Sequence, residues 1–219
     1  ENYDPKFRII VLERILRLPP RILCTMAKPL VSWIKKQTKE FYHLDKIRTL
    51  TSWRRLLNRF TELPAEAFDS GVGKSFSGRM EMNRSQHSYL RAINSAAGDL
   101  TQITFLLGRS ELADSERRVP ESVQTTLLQL LSLPGEGYCA AASIMGVESS
   151  WLHWLDSDWY THNFKPLLES NSSIREALIN GLIHSRYIPC KELMSLYHPY
   201  IIKFIKDKKV STWDDNELD

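Results

Sequence analysis

The chain of 219 residues is poor in the residues that build covalent or metal-held frameworks. Cysteine occurs three times, as Cys24, Cys139 and Cys190, at long spacings and with no C-x-x-C pair. That argues against a disulfide scaffold and a zinc ribbon, and leaves three reduced thiols acting as small apolar side chains. No apolar run reaches the ~18 residues that a membrane-spanning helix needs. The first twenty residues carry charge throughout, so no secretory leader is read there, and the sequons at Asn83 and Asn171 have no meaning without secretion. These features lead to an expectation of a cytoplasmic chain. Its first residue is Glu1 rather than Met, which reads as a segment cut from a longer protein. Alternating apolar runs joined by Asn-Gly or Asp-Gly turns are missing too, so no strand is expected.

What the chain has is helix grammar. Residues 6–18 place Phe7, Ile10, Val11, Ile15 and Leu18 near one face, and Pro19-Pro20 stop that helix. A second helix is expected from Pro20 to Lys28. Pro29 then suits the first turn of a third, over residues 30–44, where a missing amide costs nothing. A fourth starts near Asp45 or Thr49, with Thr51 or Ser52 as cap and Trp53, Leu56, Leu57 and Phe60 as its apolar stripe. Residues 64–88 are rich in Gly and Ser and lack periodicity, so Asp69 to Gly78 reads as a flexible loop. One long helix follows from Ser88 or Tyr89, with Ala92, Ser95, Ala96, Ala97 and Gly98 in its middle, where a second helix can approach closely. Further helices are expected after Pro120, Gly135, Asp158, Ser172 and Pro189. Pro166 should kink or restart one of them, and Ser173 with Glu176 has the spacing of a capping box. The expected fold is all-α, an irregular α-solenoid of about nine to twelve helices. Its divisions are a basic subdomain at 1–63, a linker at 64–88, a helical-repeat subdomain at 89–206 and a frayed tail at 207–219.

Candidate chemistry is sparse. Gly73-Lys74-Ser75 resembles the end of a phosphate-binding loop, but Phe68 stands where that loop needs its first glycine, and no strand precedes it. His153, Asp156, Asp158 and His162 lie close together, but they straddle a helix break where Ser157 or Asp158 serves better as a cap than as a ligand. No serine or cysteine has a recognisable nucleophile setting, and His43, His87, His184 and His198 are scattered. Trp151, Trp154, Trp159 and Tyr160 read as core between packed helices rather than as a base-stacking platform. No catalysis, metal or cofactor is therefore expected within the chain. Charge is the informative feature. Residues 1–62 hold fourteen Lys and Arg against six Asp and Glu, whereas the remainder holds fifteen against twenty. Lys35, Lys36, Lys39, Arg48, Arg54, Arg55 and Arg59 are the candidate contacts for an acidic partner or for nucleic acid phosphates.

Four stretches, INSAAGDLTQITFLLG, ASIMGVESSWLHWLDSDWYTHNFKPLLES, SIREALINGLIHSRYIP and LMSLYHPYIIKFI, resemble in that order the helical C-terminal region of large bacterial sirtuin-like anti-phage proteins. The matching positions are Asn94, Gly98 and Leu100, then Leu155, Asp156 and Trp159, then Pro166, Leu167 and Leu168. They fall within residues 89–206 and are helix signatures, not a catalytic motif. The resemblance implies a sensor or regulatory scaffold whose partner is a protein, either a phage protein or the parent's own NAD-hydrolysing domain. The glycine motif of that enzyme is absent here, so any catalysis would lie outside this chain. The alternative is a nucleic-acid-binding module using the basic first part.

Overall fold

The computed structural model describes residues 5–70, 88–112, 117–170 and 172–213. All regular structure in them is helical. The first part comprises α1 (Pro5–Ile15), α2 (Pro20–Leu44), α3 (Lys46–Thr61) and a 3-10 turn at Ala65–Phe68. The second comprises α4 (Ser88–Ile93), α5 (Ala96–Glu111), α6 (Glu121–Leu130), α7 (Gly137–Val147), α8 (Ser149–Leu155), α9 (Ser157–Ser170), α10 (Ser172–Ile183) and α11 (Lys191–Trp213). The expected loop at Asp69 to Gly78 lies outside the described residues beyond Ser70.

Three boundaries differ from the sequence reading, each for a physical reason. Pro29 opens no new helix, because α2 runs through it for 25 residues. Thr25 and Pro29 are both exposed, so water can reach the carbonyl that proline deprives of a donor. Pro166 in α9 and Pro199 in α11 are likewise exposed and interior to their helices. No Gly or Pro follows Pro199 before Trp213, and α11 continues through the first seven residues of the expected tail. Third, α3 is capped by Asp45, whose side chain accepts from the Arg48 amide at 2.9 Å, leaving Thr51 and Ser52 inside the helix. Ser173 also lies inside its helix, since α10 begins at Ser172, so it forms no capping box.

The long helix expected from Tyr89 to Leu112 is two helices. The chain breaks at Asn94 and Ser95, and the Ser95 hydroxyl accepts from the Gly98 amide at 3.0 Å while donating to the Ala92 carbonyl at 2.9 Å. A Cβ on Gly98 would lie 1.9 Å from that same carbonyl, so the break demands glycine there. The break also frees the Ile93 carbonyl, while the Ser95 carbonyl accepts the first helical bond of α5 from the Asp99 amide at 3.2 Å. Lys28 of α2 takes both, at 3.2 and 3.3 Å, and its ammonium also bonds the Asp99 carboxylate at 2.6 Å. The other Asp99 oxygen accepts from Lys35, two turns further along the same face of α2, and Lys35 also donates to Gln102 at 3.0 Å. Asp99 is fully buried, whereas Lys28 and Lys35 keep 35% and 26% of their side chains in water.

Hydrophobic burial runs continuously through the molecule, from Leu12 to Tyr197. In the first part α2 and α3 close around Leu23, Phe41, Leu56 and Phe60. Each such side chain contributes about 1.5–3 kcal/mol by leaving water. In the second part α7 packs against α4, α5 and α10. Its face is built from Ala140, Ala141, Ala142, Ser143 and Gly146, and α10 presents Ala177, Leu178 and Gly181. These small residues bring backbones together. A Cβ on Gly181 would meet the Ser143 carbonyl at 1.9 Å, and one on Gly146 would meet the Leu178 carbonyl at 2.2 Å.

Two stability tests follow from this packing. Gly181→Ala should destabilise the chain by about 3 kcal/mol or more, because backbone cannot yield as a side chain can. Gly108→Ala meets only a Val123 methyl at 2.7 Å and should cost less. Urea unfolding that found Gly181→Ala as stable as the parent would contradict the α7–α10 contact. Asp99→Ala should cost about 2 kcal/mol in the same assay. That is below the usual cost of stripping a fully buried charge of its partner, since both lysines retain access to water.

Candidate partner-binding face

The seven basic candidates do not form one free surface. Lys35 is committed to Asp99 and Gln102. Arg48 makes a two-pronged bond to Glu13 of α1 at 2.7 and 2.8 Å. The guanidinium beside Glu13 holds that carboxyl below its ordinary range, and Arg48 is raised in return. Arg59 caps the end of α1 through the carbonyls of Leu16 and Leu18, at 2.9 and 2.7 Å. Lys36 and Lys39 on α2 and Arg54 and Arg55 on α3 remain exposed.

The aromatic cluster also divides. Tyr160 is fully buried, and Trp151 and Trp159 are half-buried against the core. Trp154, expected in the core, is 60% exposed, with the Arg117 guanidinium 5.2 Å from its ring centre. The Tyr160 hydroxyl donates to Ser149 at 2.8 Å and lies 2.7 Å from the Tyr197 hydroxyl. This buried knot joins the start of α8, the first turn of α9 and the second turn of α11. Loss of water raises both phenols above the ordinary tyrosine value, Tyr160 the more strongly. Asp156, one residue ahead of the expected Ser157 or Asp158, caps α9, accepting from the Trp159 amide at 2.9 Å. Among the described residues no group of three or more His, Cys, Asp or Glu is placed to hold a metal ion.

The knot fixes α11 against α8, and the segment that leads into α11 is held at both ends. At its start, the His184 ring stacks on Tyr89 at 4.5 Å and its Nδ1 lies 2.8 Å from the Asn180 carbonyl. At its end, the Cys190 thiol lies 3.5 Å from Nδ1 of His153 on α8. Between these anchors the Ser185 hydroxyl accepts from the Tyr187 amide at 3.2 Å, tightening the turn. Tyr187 is 62% exposed and Ile188 is 95% exposed, and Ile183 at the end of α10 is exposed as well. Arg186 beside them is exposed. Behind the segment lies a cleft of about 330 Å³, lined by Tyr89, Phe105, Arg109, Glu148, His184 and Tyr187. Arg109 spans it, bonding Glu148 at 2.5 Å and lying 5.0 Å from the Trp151 ring centre. Burial raises the Glu148 carboxyl and Arg109 opposes that rise.

A second cavity, of about 430 Å³, opens beside the 3-10 turn. Arg91 and Glu136 pair at its edge at 2.9 Å, and Tyr138, Cys139, Glu176 and Asn180 line it. Burial pushes the Cys139 thiol up, which makes it a poor nucleophile. In comparison with known proteins, the chain matches no family model, no curated protein and no solved structure.

None of this face was legible beforehand. The meeting of His153 and Cys190, 37 residues apart, has no sequence signature. Only the apolar pair Tyr187-Ile188 just ahead of Pro189 was visible, and it reads as readily as a helix lead-in.

The knot predicts an alkaline limit. Above about pH 10 the unfolded chain releases phenolic protons that the native chain keeps, so native stability falls as pH rises through that value. Tyr160→Phe should cost about 1 kcal/mol at neutral pH by removing a donor to Ser149. It should also make the alkaline fall shallower. Unfolding free energies between pH 8 and 11 check both expectations, and phenols ionising at their ordinary pH in a chain that stays folded would contradict them.

Proposed function

We propose that this chain is a non-catalytic helical scaffold that binds a protein partner, and that the partner seats on the segment between α10 and α11. The observation that carries the reading is Ile188, 95% exposed beside a 62% exposed Tyr187 on a segment anchored at both ends. Exposed apolar residues scattered singly are ordinary, but a pair held up by anchors presents a contact surface. Aromatic and arginine side chains are the residues that most often carry binding energy at interfaces. Arg186 lies beside the pair, so the partner surface has an apolar centre and a carboxylate at its rim. In the resembling anti-phage proteins that partner would be a phage protein or the parent's own enzyme domain. The irregular solenoid is the finer form of the all-α fold that fits such a scaffold.

A second reading is kept for the basic side chains left exposed. Lys36, Lys39, Arg54 and Arg55 would contact nucleic acid backbone in a sequence-independent way. It is the weaker reading because Lys35, Arg48 and Arg59 are spent inside the molecule.

A photo-crosslinking residue at position 188 should give discrete adducts in cells. The same residue at Leu128, exposed but away from the segment, should give none of them. Tyr187→Asp should abolish the adducts at 188 while leaving the unfolding midpoint unchanged. Adducts of equal pattern at both positions, or none at 188, would count against the reading. Duplex DNA binding should be weak and vanish at moderate salt, because each phosphate contact releases a counterion. Tight binding at high salt that is lost in Arg54→Glu would hand the function to nucleic acid.

A further inference from the structure

The contact between Cys190 and His153 brings a thiol and an imidazole from two separate helices to 3.5 Å, with the thiol exposed to solvent. The Cys190 carbonyl accepts the first helical bond of α11, from the Met194 amide at 2.9 Å, so the thiol sits on the cap residue of that helix. The reactive form of a cysteine is the thiolate, and Nδ1 of His153 is within reach of the proton that must leave. One group opposes it. The Glu192 carboxyl, in the first turn of α11, is held below its ordinary range, first by its own backbone amide and then by the Cys190 thiol. Tyr160, edge-on to the His153 ring at 5.8 Å, stays uncharged because burial holds its proton. No carboxylate or carbonyl among the described residues bonds the second nitrogen of His153, so the pair lacks the orienting third member of a hydrolytic triad.

We propose that Cys190 is a covalent modification site: a nucleophilic thiol, with His153 as its proton acceptor, that takes peroxides and soft carbon electrophiles. The inference does not rest on the docking reading. In the peroxide reaction Nδ1 of His153 takes the thiol proton and the sulfur attacks one peroxide oxygen. The S–O bond forms as the O–O bond breaks, and the departing oxygen recovers the proton and leaves as water. The thiol is oxidised to a sulfenic acid and the peroxide is reduced. With iodoacetamide an S–C bond forms and iodide leaves. Cys24 and Cys139 are half-buried, and among the described residues neither pairs with an imidazole.

The test uses the full chain with Cys24→Ser and Cys139→Ser, alkylated by iodoacetamide at pH 7 and followed by intact mass. Exposure alone can make a native thiol only as fast as the same thiol in the urea-unfolded chain. Native Cys190 should react about fivefold faster than that, or more. His153→Gln should abolish the advantage, and Glu192→Gln should increase it by removing the opposing charge. Hydrogen peroxide followed by dimedone should label position 190. A native rate equal to or below the unfolded rate overturns the proposal, as does an unchanged rate in a folded His153→Gln chain. If His153→Gln does not fold, the Glu192→Gln chain decides, and a rate no faster than the parent's overturns it.

Discussion

The buried carboxylate of Asp99 is the constraint on which the arrangement of the first five helices depends. A charge fully removed from water is tolerated only when it is paired and hydrogen-bonded. Here two lysines two turns apart on one face of α2 satisfy one oxygen each, and their stems reach in from solvent. The same Lys28 ammonium also bonds the Ile93 and Ser95 carbonyls where the chain breaks between α4 and α5. One cation thus sets the docking of α2 on α5 and the position of the break. The direction of the break in turn places α4 beside α7 and α10, where Tyr89 meets His184.

This economy changes what the basic first part means. Eight more positive than negative charges in residues 1–62 suggest an electrostatic face when read as a string. In three dimensions Lys28 and Lys35 neutralise a buried acid, Arg48 clamps α1 to α3 through Glu13, and Arg59 caps α1. Structural cations and ligand-binding cations have the same sequence pattern. The difference lies in which acids and carbonyls the fold brings to them.

The second part is organised by close backbone approach rather than by charge. Gly146 and Gly181 let α7 and α10 touch, and the buried Ser149, Tyr160 and Tyr197 hydroxyls bond one another. Such packing leaves little freedom to α8 and α11. The segment before α11 is therefore held out with its apolar side chains in solvent, rather than collapsing onto the core. Stability of the interior and display at the surface come from the same small residues.

The helical class was fully legible in the sequence. Apolar periodicity and the stops at Pro19-Pro20 and Pro134-Gly135 are local properties, and helix formation answers mainly to local properties. The small residues Ala96 to Gly98 were visible but misplaced: they open α5 rather than fill the middle of a helix, and Gly98 is required by the Ala92 carbonyl of the break. The internal prolines were not legible. Whether Pro29 or Pro166 ends a helix depends on whether the freed carbonyl faces water, and that depends on which side the tertiary fold covers. The break at Ser95 was hidden because its stabiliser, Lys28, lies 67 residues away. The face around Tyr187, Ile188 and Cys190 was hidden because exposure is a property of the assembled surface. By itself the sequence determined that the chain forms helices and roughly where they fall. The tertiary structure alone decided which charges are spent, which aromatics are buried and which thiol meets a histidine, since each is a relation between residues far apart along the chain.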